Sequence, residues 1–188
     1  MNILFVNACV RPDSRTKQLA DYLLEKLDGT VTEVRLGTEN IQPLCRETLE
    51  QRNTLLAEGK PDAPPLRYAR QFAEADVVVV AAPYWDLSFP ALLKAYVEAI
   101  NVTGVTFVYT EDGRPRGLCR AKELSYVTTA GGPILSDDYG YGYLESVCRM
   151  FYGIPESHQI KAQGLDIIGA DVEGILEAAR AKVDRLFA

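Results

Sequence analysis

Histidine is nearly absent from this chain, with His158 the one copy in 188 residues. Nucleophilic catalysis by a Ser/His/Asp or Cys/His set would have to rest on that residue alone. Cysteine is also sparse. Cys9, Cys45, Cys119 and Cys148 stand far apart, and no C-x-x-C occurs. That spacing, beside a single histidine, offers no zinc pattern, so no metal is expected and reduced thiols are the default reading. No stretch approaches the roughly twenty apolar residues of a membrane span. Positive charge is in deficit, 20 Lys and Arg against 26 Asp and Glu for a net charge of −6. This argues against nucleic acid or an anionic membrane surface as partner. Neither G-x-G-x-x-G nor a Walker lysine motif is present, which leaves a dinucleotide Rossmann cradle or a P-loop unsupported. The start, "MNILFVNAC", has no basic region and runs directly into a strand pattern, so no signal peptide is expected and the cytoplasm is the expected location.

What is present suits one globular domain, residues 1–188, with 47% hydrophobic and 24% charged residues. Short apolar runs alternate with helical patterns. Strands are expected at Asn2–Ala8, Thr30–Leu36, Asp76–Ala82, Glu123–Thr129 and Leu165–Gly169. Helices are expected after Ser14, at Arg46–Ala57, from Ser88 to Ile100 with Pro90 in the first turn, at Asp138–Phe151 and at Ala170–Phe187. The proline-rich segment around Pro43, Pro61, Pro64 and Pro65 otherwise reads as loop. Strand and helix alternating in this way predict an α/β three-layer sandwich, a five-stranded parallel sheet with helices on both faces. Ligands of such sheets bind beyond the carboxyl ends of the strands. That directs attention to the loops Cys9–Thr16, Pro83–Ser88 and Ala130–Asp137.

In the first loop Ser14, Arg15 and Thr16 offer hydroxyls, a guanidinium and free amides at a helix N-terminus, a favourable place for an anion. The plainer alternative is a serine cap and a solvated arginine. The same loop fits C-x5-R-[ST], the phosphate loop of low-molecular-weight tyrosine phosphatases, with Cys9 as nucleophile and Arg15 as clamp. Two features oppose that fit. Pro12 has no N–H to aim at an oxyanion, and the chain has no Asp-Pro pair to supply a general acid. A half-buried core residue is the preferred reading of Cys9. In the second loop, "APYWDLSFP", Tyr84 and Trp85 are flat and Leu87 is apolar, while the backbone groups between them stay free. This suits a planar ring system with hydrogen-bonding edges. The same aromatics would equally serve as core plugs or an oligomer contact. In the third loop Gly131 and Gly132 allow close backbone approach to a ligand edge, or make only a turn.

Residues 81–118, "AAPYWDLSFPALLKAYVEAINVTGVTFVYTEDGRPRGL", carry a resemblance. They are similar to the A-P-M-Y-N-F, L-K-x-Y and G-x-T-F-x-Y-T-x-x-G-x-x-G-L runs of the flavodoxin-like NAD(P)H:quinone oxidoreductases, above all the FMN-dependent NADH-azoreductases. "SRTKQLADYL" and "TTAGG" stand where that family has its phosphate loop and its Ser-Arg-Gly-Gly loop. The likeness covers nearly the whole chain and is weakest at 37–70. It implies a flavodoxin-like fold and non-covalent FMN. Ser14, Arg15 and Thr16 would hold the phosphate, with Cys9 beside them. Pro83, Tyr84, Trp85, Asp86 and Leu87 would line the ring, and Thr129, Ala130, Gly131 and Gly132 would meet its pyrimidine edge. Tyr109 and Phe151 match aromatics that border the substrate space, often across a homodimer interface. The chain departs from the pattern at Cys9, where serine is common, at Trp85-Asp86 in place of Tyr-Asn, and at Ala130 in place of arginine. Asp86 is expected to cap the following helix or to face water.

The implied activity is a two-electron ping-pong transfer from NAD(P)H through FMN to a quinone, azo or nitroaromatic acceptor, in a homodimer. No side chain need be an essential acid or base, although Tyr109 and His158 are candidate proton donors. The alternatives are an FMN reductase of the same fold, a non-enzymatic flavin carrier or sensor, and the phosphatase.

Overall fold

The computed structural model describes residues 1–187. The strands β1 (Asn2–Asn7), β2 (Thr30–Arg35), β3 (Val77–Ala81), β6 (Glu123–Thr129) and β7 (Glu156–Ala162) form one sheet in the order β2-β1-β3-β6-β7. Every neighbouring pair in it is parallel. The helices are α1 (Arg15–Leu24), α2 (Arg46–Ala57), α3 (Arg67–Glu74), α4 (Ala91–Ile100), α5 (Tyr141–Val147) and α6 (Val172–Leu186). A separate antiparallel hairpin joins β4 (Phe107–Tyr109) to β5 (Pro115–Gly117).

The period-two geometry of the strands divides the core. Ile3, Phe5, Val77, Val79 and Ala81 face α1 and α6 and pack with Leu19, Leu23, Leu176 and Val183. Leu4, Val6, Val78, Val80 and Ala82 face the other way, among Phe72, Leu93, Tyr96, Val97 and Leu144. All five residues of β3 are buried, which is why its valine run does not alternate with polar residues. At Gly29 a Cβ would collide with the backbone carbonyl of Met1, so the chain can return beside the first strand only with glycine there.

The fold is the α/β sandwich expected, with one strand moved. The fifth strand is Glu156–Ala162, not Leu165–Gly169, which is turn. "ESHQIKA" is largely polar because β7 lies at the sheet's edge, where every side chain but those of Ile160 and Ala162 remains partly accessible. "LDIIG" carries exposed Ile167 and Ile168, and apolar content alone misplaced the strand. The helix expected from Ser88 begins at Ala91, with Pro90 outside it as the N-cap. The helix expected to run to Phe151 stays α-helical through Val147. It then widens into one π turn, Cys148–Tyr152, which Gly153 ends at φ 75°. Helix α3 falls in a stretch expected to be loop; its Ala69 and Phe72 are buried.

Candidate functional site

Three loops leave the same edge of the sheet because β1, β3 and β6 run parallel. Each is tied down locally. After β1, the Ala8 amide donates to the Ala81 carbonyl at 2.8 Å. The Cys9 amide donates to Asn7 Oδ1 at 2.9 Å, while Asn7 Nδ2 donates to Glu33 Oε1 at 2.8 Å. Ser14 caps α1, its hydroxyl accepting from the Lys17 amide at 3.3 Å. The first-turn amides of α1 have no intrahelical carbonyl to meet. After β3, the Tyr84 amide donates to the Thr129 carbonyl at 3.0 Å, lashing the second loop to the end of β6. Trp85 and Ser88 then exchange both backbone bonds, at 3.1 and 2.7 Å, across a turn whose central residues Asp86 and Leu87 have φ 52° and 69°. Left-handed backbone at a leucine is strained, and the two bonds of the turn hold it.

The third loop is joined to the segment that follows β7. Amides of Gly164, Leu165 and Asp166 donate to the carbonyls of Gly132, Ala130 and Gly131 at 3.0, 3.2 and 2.9 Å. Between these loops lies a cavity of about 310 Å³. Its size falls at the small end of ligand pockets.

The cavity brings together Ser14, Arg15 and Thr16 from the first loop, Pro83, Tyr84 and Trp85 from the second, and Thr129, Ala130 and Gly131 from the third. Gly132, Asp86 and Leu87 stand in the same loops but do not line it. Asp86 is exposed and does not cap α4, whose N-cap is Pro90 without a side-chain bond. Cys9 also lies outside the lining. It is buried, its Sγ is 3.8 Å from the Ala81 carbonyl oxygen, and burial pushes its thiol above the ordinary range. A buried thiol whose ionisation burial opposes makes a poor nucleophile, which counts against the phosphatase alternative.

Tyr109 and Phe151 do not reach the cavity lining. They meet each other through Phe107, with ring centroids 5.3 Å and 5.2 Å from it, so the hairpin and the π turn form one aromatic row. The approach is close: a Cβ on Gly117 would overlap the Tyr152 carbonyl and the Gly153 amide. His158 sits on β7 four residues before Ala162, roughly 13 Å of strand from the cavity's edge. There it lies 3.9 Å from Glu123 and edge-on to Phe187.

Val10, Arg11, Asp13, Leu165 and Asp166 also line the cavity and were not singled out from the sequence. The first three lie inside a loop that was. The last two follow β7, and a strand expected at Leu165–Gly169 rather than Glu156–Ala162 hid them. The walls therefore carry Arg11 and Arg15 against Asp13 and Asp166. Arg15 Nη1 pairs with Asp166 Oδ1 at 2.8 Å.

These residues fit FMN. A helix N-terminus with two hydroxyls and a guanidinium suits a phosphate. Tyr84 and Trp85 offer flat apolar surface. Thr129, Ala130 and Gly131 bring the backbone of the third loop to the cavity wall, where a ring edge can meet it.

A five-stranded parallel sheet in this order, with its cavity at the carboxyl edge, defines a doubly wound α/β protein of the mononucleotide-binding kind. A family model described as "Flavodoxin-like fold" matches residues 1–187. The chain belongs to that flavodoxin-like family. It is 40% identical over 186 residues to "FMN-dependent NADH:quinone oxidoreductase 2" of Clostridium acetobutylicum, covering 93% of this chain and 92% of that protein. It is 37% identical over 189 residues to the FMN-dependent NADH:quinone oxidoreductase of Lachnoclostridium phytofermentans, covering 96% and 94%. Among solved structures, an azoreductase from Bacillus anthracis superposes with a TM-score of 0.82 at 25% identity, over 99% of this chain and 98% of that one.

Proposed function

We propose that the chain is a single-domain, FMN-dependent NAD(P)H oxidoreductase that reduces quinone, azo or nitroaromatic acceptors. The observation that carries this reading is the convergence of an anion-binding helix start, two flat aromatics and the Thr129–Gly131 backbone on one cavity. The names of its relatives support the same chemistry.

FMN, when bound, supplies two-electron redox chemistry, accepting hydride from NAD(P)H and passing electrons to the acceptor. The protein's part is positioning. The first-turn amides of α1, with Ser14 and Thr16, hold the phosphate, and Arg15 offsets its charge. Tyr84 and Trp85 form the seat of the ring. The Gly131 and Gly132 amides meet its polar edge. Tyr109 and Phe151 lie off the cavity of their own chain and border, across the dimer interface, the space of the partner copy in which donor and acceptor stack in turn, in ping-pong order. His158 is too far along β7 to deliver a proton there. Catalysis then rests on orientation of two planar partners in a site shielded by aromatic side chains.

The active form is a homodimer. Supporting this, an apolar groove of about 490 Å³, walled by Phe89, Tyr139 and Tyr143, opens next to the Trp85–Ser88 turn, and Leu87 and Tyr139 are exposed beside it. No helix among the described residues is long and apolar enough to cross a membrane; the cytoplasm is the proposed location.

Titration of the purified protein with FMN tests the reading. Saturable quenching of flavin fluorescence at micromolar protein is expected. So is bleaching of the bound flavin by NADH without oxygen, reversed by a quinone. Arg15→Ala should weaken FMN binding. A protein that leaves FMN fluorescence unchanged, or bound flavin that NADH does not bleach, would refute it. Sedimentation equilibrium decides the dimer.

A further inference from the structure

The cavity read as an FMN site holds a carboxylate where a cofactor phosphate needs cations. Asp166 lines it and takes Arg15 in a 2.8 Å ion pair, and the same guanidinium nitrogen lies 3.4 Å from the Leu165 carbonyl oxygen. The Asp166 side chain is largely exposed, but its backbone is anchored. Its amide is bound to the Gly131 carbonyl at 2.9 Å, with the Leu165 and Gly164 amides bound to the next residues of the same loop. Its carboxylate lies on the Gly131 backbone, where any Cβ at position 131 would strike it. The backbone of the acid is thus fixed at the cavity wall, and Arg15 reaches across 151 positions of sequence to meet its carboxylate.

We propose that Asp166 is an affinity-setting residue that competes with the cofactor phosphate for Arg15. This rests on the reading of the cavity as an FMN site. A phosphate dianion arriving at the start of α1 draws the guanidinium away from Asp166, because it carries more charge than a carboxylate. Binding therefore breaks one ion pair as it forms another, and the cofactor is held less tightly than Arg15 alone would hold it. A ligand without a phosphate leaves the Arg15–Asp166 pair intact and escapes this competition.

The test compares FMN with riboflavin by fluorescence titration, on the wild type and on Asp166→Asn, Arg15→Gln and the double variant. Asp166→Asn should tighten FMN binding by about two- to fivefold, the size an exposed ion pair carries. Riboflavin affinity should not change. In the Arg15→Gln background the same substitution should give no gain. Asp166→Ser should repeat the result if Asp166→Asn fails to fold. Weaker or unchanged FMN binding in Asp166→Asn would overturn the proposal, and so would an equal gain for riboflavin. A gain that persists without Arg15 would mean plain repulsion rather than competition and would also overturn it. Failure of the wild type to bind FMN at all would instead refute the cofactor reading, and this proposal with it.

Discussion

Thr16 and Thr129 stand 113 positions apart and share a buried hydrogen bond of 2.6 Å between their hydroxyl oxygens. This one contact ties the first turn of α1 to the last residue of β6. It therefore fixes the phosphate end of the cavity relative to the end that would meet the ring. Thr16→Val should leave the Thr129 hydroxyl buried without a partner, at a cost of about 1–3 kcal/mol. Removing both hydroxyls, with valine at each position, should cost less than the two single changes added together. Urea denaturation of the four proteins measures the coupling, and strict additivity would show that the bond contributes nothing.

Acid should loosen the third loop through Asp137. Burial acts to raise the pKa of this carboxyl. Hydrogen bonds from Lys161 Nζ at 2.5 Å and Gln159 Nε2 at 2.6 Å outweigh burial, and the net shift is downward. A group whose pKa is lower folded than unfolded stabilises fully above its unfolded value, about 4, and loses that contribution as pH falls through the folded value. Asp137→Asn should therefore be least stable relative to wild type near neutrality and approach it as pH drops below about 4. Denaturation midpoints across that pH range test the sign.

The Trp85–Ser88 turn stores strain. Leucine at φ 69° costs about 1–2 kcal/mol, whereas glycine occupies that region freely and loses roughly 0.5–1 kcal/mol in chain entropy. Leu87→Gly is expected to raise stability by up to about 1 kcal/mol and to weaken FMN binding by loosening the seat next to Trp85. Chemical denaturation and flavin titration of the same variant separate the two effects. A loss of stability would show that Leu87 packs more than it strains.

Gly117→Ala should be the most damaging small substitution in the hairpin. Its Cβ would meet backbone atoms of Tyr152 and Gly153, which cannot turn aside as a side chain can. A cost of about 1–3 kcal/mol is expected. Because the π turn carries Phe151, which borders the space that NADH and quinone share, the KM values for both should rise. Thermal unfolding and steady-state kinetics provide the two readouts.

Much of this was legible in the chain. The valine run of β3, the capped start of α1 and the spacing of strands with helices determined the parallel sheet, and the sheet implied that the three loops share one edge. Local pattern is enough there because buried parallel strands and amphipathic helices leave strong, short-range signals. Other features had no local signal. β7 is polar because an edge strand stays partly wet, and α3 is helical because Ala69 and Phe72 have a core to enter. The π turn ends beside Gly117, at a close approach that no local pattern announces. The sequence by itself settled the fold class and which loops to inspect. Only the tertiary structure decided that Cys9 is buried beneath the cavity, that Tyr109 and Phe151 meet through Phe107, and that Arg15 finds Asp166. Those outcomes depend on distances between residues remote in the chain, and packing and charge set such distances only once the sheet has closed around its core.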